Sequence, residues 1–126
     1  MKRKVGDDLS ADRGNWSFSD IDQENFESHI SKSVPGYKDG HRYITFLSDY
    51  FISKDSLVYD IGCSTGNLLK ELSVYHKNKE NLSFIGIEPI SNFEKEFFKN
   101  TVLETNIKNH SFEFISESVE KYKLKK

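Results

Sequence analysis

Two groups of residues have the types and the spacing needed to bind a nucleoside. The first is a turn with glycines at Gly62 and Gly66, which follows the apolar run 57–61 and precedes an amphipathic helix. Glycine allows a backbone to turn sharply and to approach a ligand at the carboxyl end of a strand. The second is Glu88, which directly follows the next apolar run and could accept hydrogen bonds from ribose hydroxyls. Together, the two groups indicate a nucleoside site more strongly than either does alone.

Each group also has an ordinary structural explanation. The glycine turn could be a plain strand-to-helix connection, and Glu88 could be a solvated loop carboxylate. Ser64 stands where such turns often have a third glycine, so its hydroxyl or that of Thr65 could contact a ligand. A nicotinamide dinucleotide is a poorer fit, because its pyrophosphate needs a glycine-rich path to the helix N-terminus, and Cys63, Ser64 and Thr65 obstruct that path.

The spacing of apolar residues predicts the elements that must position these groups. Two amphipathic helices are expected first, at about 20–34 and 40–52, the earlier one capped by Ser19 or Asp20 and ended by the Val34–Tyr37 segment. The later segments alternate between strands at 56–61, 82–87 and 111–115 and helices at 67–75 and 91–102, the second of these capped by Ser91. Such alternation predicts an α/β fold with a parallel sheet whose first strand is buried on both faces. Residues 117–124 are expected to form a short helix or a frayed end.

Composition limits the protein class. The 126 residues include ten Phe and six Tyr, which favours one folded domain over disorder. We expect a polar lead-in at 1–19 and a single domain at 20–126. A net charge of −2 does not indicate nucleic-acid binding, and one cysteine with four scattered histidines does not indicate a metal site. With no apolar run near the roughly 20 residues of a membrane span and no signal-peptide pattern, we expect a cytoplasmic protein.

The chain also resembles a known family. Val58–Gly66 resembles the first motif of class I S-adenosylmethionine-dependent methyltransferases, and Ile85–Glu88 resembles their second motif. The resemblance is strongest to the carboxy-S-adenosylmethionine synthase branch, in which a helix leads into an S-x-P-G-Y segment, a further helix and a D-x-G-C-S loop. Ser33–Tyr37 and Asp60–Ser64 match these segments in order and spacing. The resemblance covers about residues 18–118 and implies a Rossmann-like fold.

The resemblance implies S-adenosylmethionine, carboxy-S-adenosylmethionine or S-adenosylhomocysteine as the cofactor. By position, Tyr37 would contact the methionine or carboxylate end, although it could equally be a packing residue between helices. Glu88 would hold the ribose, and Glu117 with Ser118 would lie near the adenine. The other positions that would line or support the cofactor are Asp60, Gly62, Cys63, Ser64, Gly66 and Pro89.

The chain departs from the family pattern after its third strand. Family members have the strand order 3-2-1-4-5-7-6, whereas this sequence predicts only the partial sheet 3-2-1. The fourth strand and a later arginine that binds the carboxylate have no counterpart, so the acceptor site is incomplete and no catalytic residue is assigned. Two functions stay open: the cofactor-binding domain of a methyltransferase or carboxy-S-adenosylmethionine synthase-like transferase, and a non-catalytic cofactor-binding or interaction protein. The edge strand 57–61 contains no Lys or Pro, which predicts a homo-oligomer or a partner chain along it.

Overall fold

A computed structural model describes residues 3–4, 10–11 and 22–125 of the chain. Near the start, β1 (Arg3–Lys4) and β2 (Ser10–Ala11) form a short antiparallel pair. The predicted caps Ser19 and Asp20 lie outside the described residues, and the cap of the first described helix is Asp22, whose side chain accepts a hydrogen bond from the Glu24 amide.

A three-stranded parallel sheet forms the centre of the fold. Its strands are β3 (Leu57–Ile61), β4 (Ser83–Ile87) and β5 (Ser111–Ile115), in the order β3-β4-β5. The register pairs Tyr59 with Ile85 and Ile85 with Glu113. This order is the predicted 3-2-1 arrangement read from the opposite edge, so the parallel α/β architecture is confirmed and is compatible with a Rossmann-like fold.

Helices connect and precede the strands. They are α1 (Gln23–Ser33), α2 (Tyr37–Ser48), α3 (Asn67–Tyr75) and α4 (Glu94–Phe98), the last flanked by a 3₁₀ turn (Ser91–Phe93) and a π-helical turn (Lys99–Leu103). α2 starts three residues before the predicted position, because Gly36 adopts a left-handed conformation (φ 75°) that ends the turn after α1 and lets a helix begin at once.

Residues 117–124 form turns and irregular structure, which fits the predicted frayed end and not the short helix. Two other details of the prediction were wrong. Ser91 makes no side-chain cap, since the chain enters this helix through the 3₁₀ turn after Ile90. Strand β3 is not buried on both faces: its end residues Leu57 and Ile61 are exposed, because it is hydrogen-bonded to β4 alone within the described part of the sheet.

The core lies between one face of the sheet and helices α3 and α4. Its fully buried side chains include Phe84 from β4, Leu69 from α3 and Phe97 from α4. The ring of Phe97 also packs edge-on against Phe114 of β5, at a centroid distance of 5.2 Å. Burial of side chains of this size is the main stabilising contribution to such a fold, at about 1.5–3 kcal/mol each.

The C-terminal end of helix α2 is attached to the segment that follows α3. Ser48 Oγ lies 2.7 Å from Nε2 of His76, which follows α3, and Lys79 donates to Asp49 at 2.8 Å. Its apolar face is otherwise open to solvent, with Tyr50 and Phe51 80% and 82% exposed just after the helix. The other exposed apolar residues of this surface are Tyr43, Ile44, Phe46 and Leu47. In the described ranges, no helix is long and apolar enough to cross a membrane.

Candidate functional site

The glycine loop lies at the carboxyl ends of β3 and β4, where the sequence predicted a ligand site. It is attached to the neighbouring strand, since the amides of Gly62 and Cys63 both donate to the carbonyl oxygen of Ile87, at 2.8 and 3.4 Å. The Gly66 amide then closes the turn on the Cys63 carbonyl at 2.8 Å. The loop is therefore preformed by backbone hydrogen bonds.

The two glycines of the loop serve different purposes. Both have positive φ, 78° at Gly62 and 75° at Gly66. A Cβ on Gly62 would meet nothing within 4 Å, so this glycine leaves open space beside the loop. A Cβ on Gly66 would lie 2.6 Å from the Phe97 ring and 3.0 Å from the Thr101 side chain. Gly66 therefore allows α3 to pack closely on the core, whereas the close approach of a ligand at Gly62 stays a prediction.

Glu88 connects the second strand to the loop. It is only 5% exposed, and its Oε2 accepts a hydrogen bond from the Ser64 amide at 3.1 Å. Its Oε1 accepts from the Ile90 amide at 3.0 Å. Ser64 itself has a left-handed backbone (φ 49°) that directs its amide toward this carboxylate. These contacts exclude the alternative of a solvated loop carboxylate and place a buried carboxyl group beneath the loop.

Cys63 packs inward from the loop. It is buried, and its Sγ occupies the space that a side chain at Gly86 would need, since a Cβ on that glycine would lie 2.5 Å from the sulfur. Burial raises the pKa of the thiol well above its usual range, and the neighbouring carboxylates of Asp60 and Glu88 raise the pKa further. The thiol is therefore neutral at physiological pH and unsuited to nucleophilic chemistry.

A cavity of about 250 Å³ opens beside the loop. It lies between the N-terminal helices and the start of α3, and it is lined by Phe26, Ile30, Tyr37, His41, Asp60, Gly62, Cys63, Ser64, Asn67 and Leu68. Pockets for small molecules are typically about 300–1,000 Å³. The cavity is thus large enough for one end of a nucleoside cofactor, with the rest extending over the strand ends.

The cavity wall contains a network that joins three elements. Tyr37, the first residue of α2, donates its hydroxyl hydrogen to Glu27 Oε2 of α1 at 3.4 Å. The Asn67 amide at the start of α3 donates to Glu27 Oε1 at 2.9 Å. The Tyr37 ring also packs against the His41 ring at a centroid distance of 4.4 Å. Tyr37 therefore packs between the helices and also borders the cavity, and its contact with the cofactor stays a prediction.

Burial and neighbouring charges shift the pKa values of three groups in or behind this wall. Burial raises the pKa of Asp60, which His41 lowers in part and Glu88 raises further. Burial likewise raises the pKa of Glu27, with opposing contributions from His41 and from the Tyr37 hydrogen bond. The pKa of Tyr37 is raised by burial first and then by the adjacent Glu27 carboxylate, so its hydroxyl remains protonated.

The remaining predicted residues lie outside the cavity. Pro89 and Glu117 are exposed after the ends of β4 and β5 and do not line the cavity. Three residues of the wall network were not predicted from the sequence: Glu27, His41 and Asn67. The start of α3 directly after the loop could have indicated Asn67. Helical spacing along α1 or α2 cannot tell which polar residue faces a loop 40 positions away. Within the described ranges, no cluster of His, Cys, Asp and Glu could hold a metal ion.

Two comparisons with known proteins bear on the class of this protein. No family model matches the chain. Curated relatives do match, and three of them share the name carboxy-S-adenosyl-L-methionine synthase. The relative from Staphylococcus epidermidis is 35% identical over 110 residues, which is 86% of this chain and 45% of the relative. The relative from Erwinia tasmaniensis is 43% identical over 56 residues, 44% of this chain and 23% of the relative.

These matches confirm the resemblance drawn from the motifs. The chain is a homologue of part of the carboxy-S-adenosyl-L-methionine synthases, a class I S-adenosylmethionine methyltransferase-like family. The third relative, from Citrobacter koseri, is 36% identical over 70 residues. The chain spans less than half the length of these curated relatives, at 45%, 23% and 28%.

Proposed function

We propose that residues 20–126 form the cofactor-binding domain of an S-adenosylmethionine-dependent transferase, preceded by the lead-in 1–19. The observation that carries this proposal is the hydrogen bond between the Ser64 amide and Glu88 Oε2, at 3.1 Å. It joins the glycine loop and the acidic strand end in one preformed unit at the carboxyl ends of the strands, where folds of this kind bind nucleosides. The cofactor is S-adenosylmethionine, S-adenosylhomocysteine or carboxy-S-adenosylmethionine.

The geometry supports one orientation of the cofactor. Each carboxylate oxygen of Glu88 has two lone pairs, so the residue can keep its bonds to the Ser64 and Ile90 amides and still accept bonds from ribose hydroxyls. The methionine end then lies in the cavity beside Tyr37 and Asp60. The adenine extends toward the end of β5, where Glu117 follows the strand.

Calorimetry with S-adenosylhomocysteine tests the proposal, with NAD as the competing ligand class. We expect saturable binding of S-adenosylhomocysteine and none of NAD. Glu88→Ala should weaken binding by about 1–3 kcal/mol, the cost of losing hydrogen bonds to a charged group. Glu94→Ala, an exposed glutamate at the start of α4, is the matched control and should leave affinity unchanged. Absence of saturable wild-type binding at millimolar ligand would contradict the proposal.

A non-catalytic cofactor-binding protein is the second candidate. It shares the cofactor site with the first candidate and differs in lacking group transfer, which also requires an acceptor site. Methyl or carboxymethyl transfer by a protein that binds the cofactor would identify the transferase. Binding without turnover, with every acceptor tried, would favour the second candidate.

The open edge of the sheet supports a proposal about assembly. Ile61 of β3 is 58% exposed, and the apolar face of α2 is exposed as well. Unpaired strand edges recruit further strands. We take the occupant to be polypeptide equivalent to the unmatched part of the relatives, because the chain matches only 45% of the Staphylococcus epidermidis protein.

Sedimentation and hydrogen exchange test this assembly. Mixing the chain with the unmatched fragment of that relative should give a complex and slow the exchange of the 57–61 amides. Self-association without the fragment would assign the edge to a second copy of the chain, as in a homo-oligomer, and overturn the proposed occupant. A monomer in both cases, at high micromolar concentration, would show that this edge needs no partner.

A further inference from the structure

One carboxylate joins the three helices around the cavity. Glu27 of α1 accepts hydrogen bonds with both of its oxygens: Oε2 accepts from the Tyr37 hydroxyl at 3.4 Å, and Oε1 accepts from Asn67 Nδ2 at 2.9 Å. Tyr37 is the first residue of α2, and Asn67 is the first residue of α3, directly after the glycine loop. Glu27 therefore connects the beginnings of two helices to a third.

Neither of these two helix starts has a capping side chain of its own. The residue before Tyr37 is Gly36 and the residue before Asn67 is Gly66, and both glycines have a left-handed backbone and make no side-chain cap. Tyr37 and Asn67 both line the cavity, whereas Glu27 lies behind them. Glu27 can therefore act on a ligand through its two partners without contacting the ligand itself.

The contacts that start at Glu27 form a closed circuit. Asn67 Nδ2 also donates to Glu71 Oε1 at 3.3 Å, and the same oxygen lies 3.5 Å from Nδ1 of His41. The His41 ring packs in turn against the Tyr37 ring, at a centroid distance of 4.4 Å. Each of the five side chains is thus held from two sides, and the loss of one contact should loosen the others.

We propose that Glu27 is a positioning residue of the cofactor site, which fixes the Tyr37 and Asn67 side chains at the cavity wall before a ligand binds. The inference rests on the proposed function. A side chain that is ordered only on binding lowers affinity by about two- to tenfold, and a side chain fixed in advance avoids this loss. The position of Glu27 depends on the length of its side chain, because one carboxylate must reach two partners.

The experiment is calorimetry with S-adenosylhomocysteine on the wild-type protein and on two variants that separate length from charge. Glu27→Asp keeps the charge but is one methylene shorter, and should weaken binding by about tenfold, the scale of ordering two side chains. Glu27→Gln keeps the length, and can accept from Asn67 and donate to the Tyr37 oxygen, so its affinity should stay within about threefold of the wild type. Glu24→Asp, the same change at an exposed position of α1, is the matched control and should leave affinity unchanged.

A double-mutant cycle tests whether Glu27 acts through Tyr37. Tyr37→Phe keeps the ring and removes the hydroxyl that donates to Glu27. The effects of Glu27→Gln and Tyr37→Phe on affinity should be non-additive by at least about twofold, because residues in contact are energetically coupled. Additive effects would overturn the inference. The cycle decides the matter even if Glu27→Asp does not fold.

The outcomes separate this inference from the proposed function. If Glu27→Asp binds as tightly as the wild type and changes only the free energy of unfolding, Glu27 has no positioning role and the proposed function stands. If Glu27→Gln loses affinity while Glu27→Asp keeps it, the charge of Glu27 matters and its length does not, which contradicts the inference. If the wild-type protein does not bind S-adenosylhomocysteine, both proposals fail.

Discussion

Strands β4 and β3 differ in how completely they are packed. β4 lies between two strands, and its Phe84, Ile85 and Ile87 side chains are buried. β3 has one described neighbour, and its end residues Leu57 and Ile61 are exposed. The glycine loop takes its hydrogen bonds from the β4 side, through the Ile87 carbonyl and the carboxylate that follows it. The candidate site is therefore preformed by the packed half of the sheet, whatever covers the other half.

Removing an aromatic ring from the core and removing one from the exposed surface after α2 should give the largest difference in the free energy of unfolding. Phe97→Ala empties a fully buried position in the core and should lower the free energy of unfolding by about 3–5 kcal/mol. Phe51→Ala removes the same atoms from an exposed surface and should change the free energy of unfolding by no more than about 0.5 kcal/mol. Urea unfolding of both variants measures the contrast. A large cost for Phe51→Ala would show that the surface after α2 is covered in solution.

Alanine substitutions at the two loop glycines should differ by a smaller amount in the free energy of unfolding. Gly66→Ala combines left-handed backbone strain with a clash against Phe97, and should cost roughly 2–5 kcal/mol of stability. Gly62→Ala has the strain without the clash, and should cost about 1–2 kcal/mol. Thermal and urea unfolding of the pair test this order. Equal costs would mean that Gly66 is not packed as tightly as its contacts indicate.

The attachment of α2 should be sensitive to pH. His76 is 2% exposed, and burial, with a contribution from Lys79, lowers its pKa from the ordinary value near 6.5. Because the unfolded chain takes up the proton first, the stability contributed by neutral His76 is complete above about pH 6.5 and is lost as the pH falls toward the folded-state pKa. The loss should be at most about 1.4 kcal/mol per pH unit.

Unfolding free energies at a series of pH values between about 7.5 and 5 measure this effect. His76→Gln should be less stable than the wild type at the upper end of this range, since the 2.7 Å contact with Ser48 is altered. Its stability should also fall less steeply below about pH 6.5, because the titrating ring is gone. Identical slopes for the variant and the wild type would show that His76 is not the group responsible.

Local sequence signals predicted the elements around the loop well. Helix α3 and strand β5 have the predicted bounds, because their apolar spacing and flanking turn residues agree. The beginning of α2 was missed because Gly36 starts the helix from a left-handed conformation. The burial of β3 was wrong because the burial of a strand depends on its neighbours, which its own five residues do not specify.

The sequence predicted the loop, Glu88 and some of the residues that line the cavity, but not the contacts between α1, α2 and α3 in its wall. The loop and Glu88 follow from strand and turn patterns, whereas the contact of Glu27 with Asn67 joins residues 40 positions apart. Such a contact depends on how α1 packs against the loop, which is a property of the tertiary fold. The inward position of Cys63 is of the same kind, since it is set by the absence of a side chain at Gly86.

The most direct test of the central claim is an amide-resolved NMR titration of the wild-type protein with S-adenosylhomocysteine. We expect saturable shifts at the amides of Gly62, Ser64 and Ile90, which form or contact the unit of loop and Glu88, and small shifts on the exposed face of α2. Saturable shifts confined to residues away from the loop, or none at millimolar ligand, would contradict the claim.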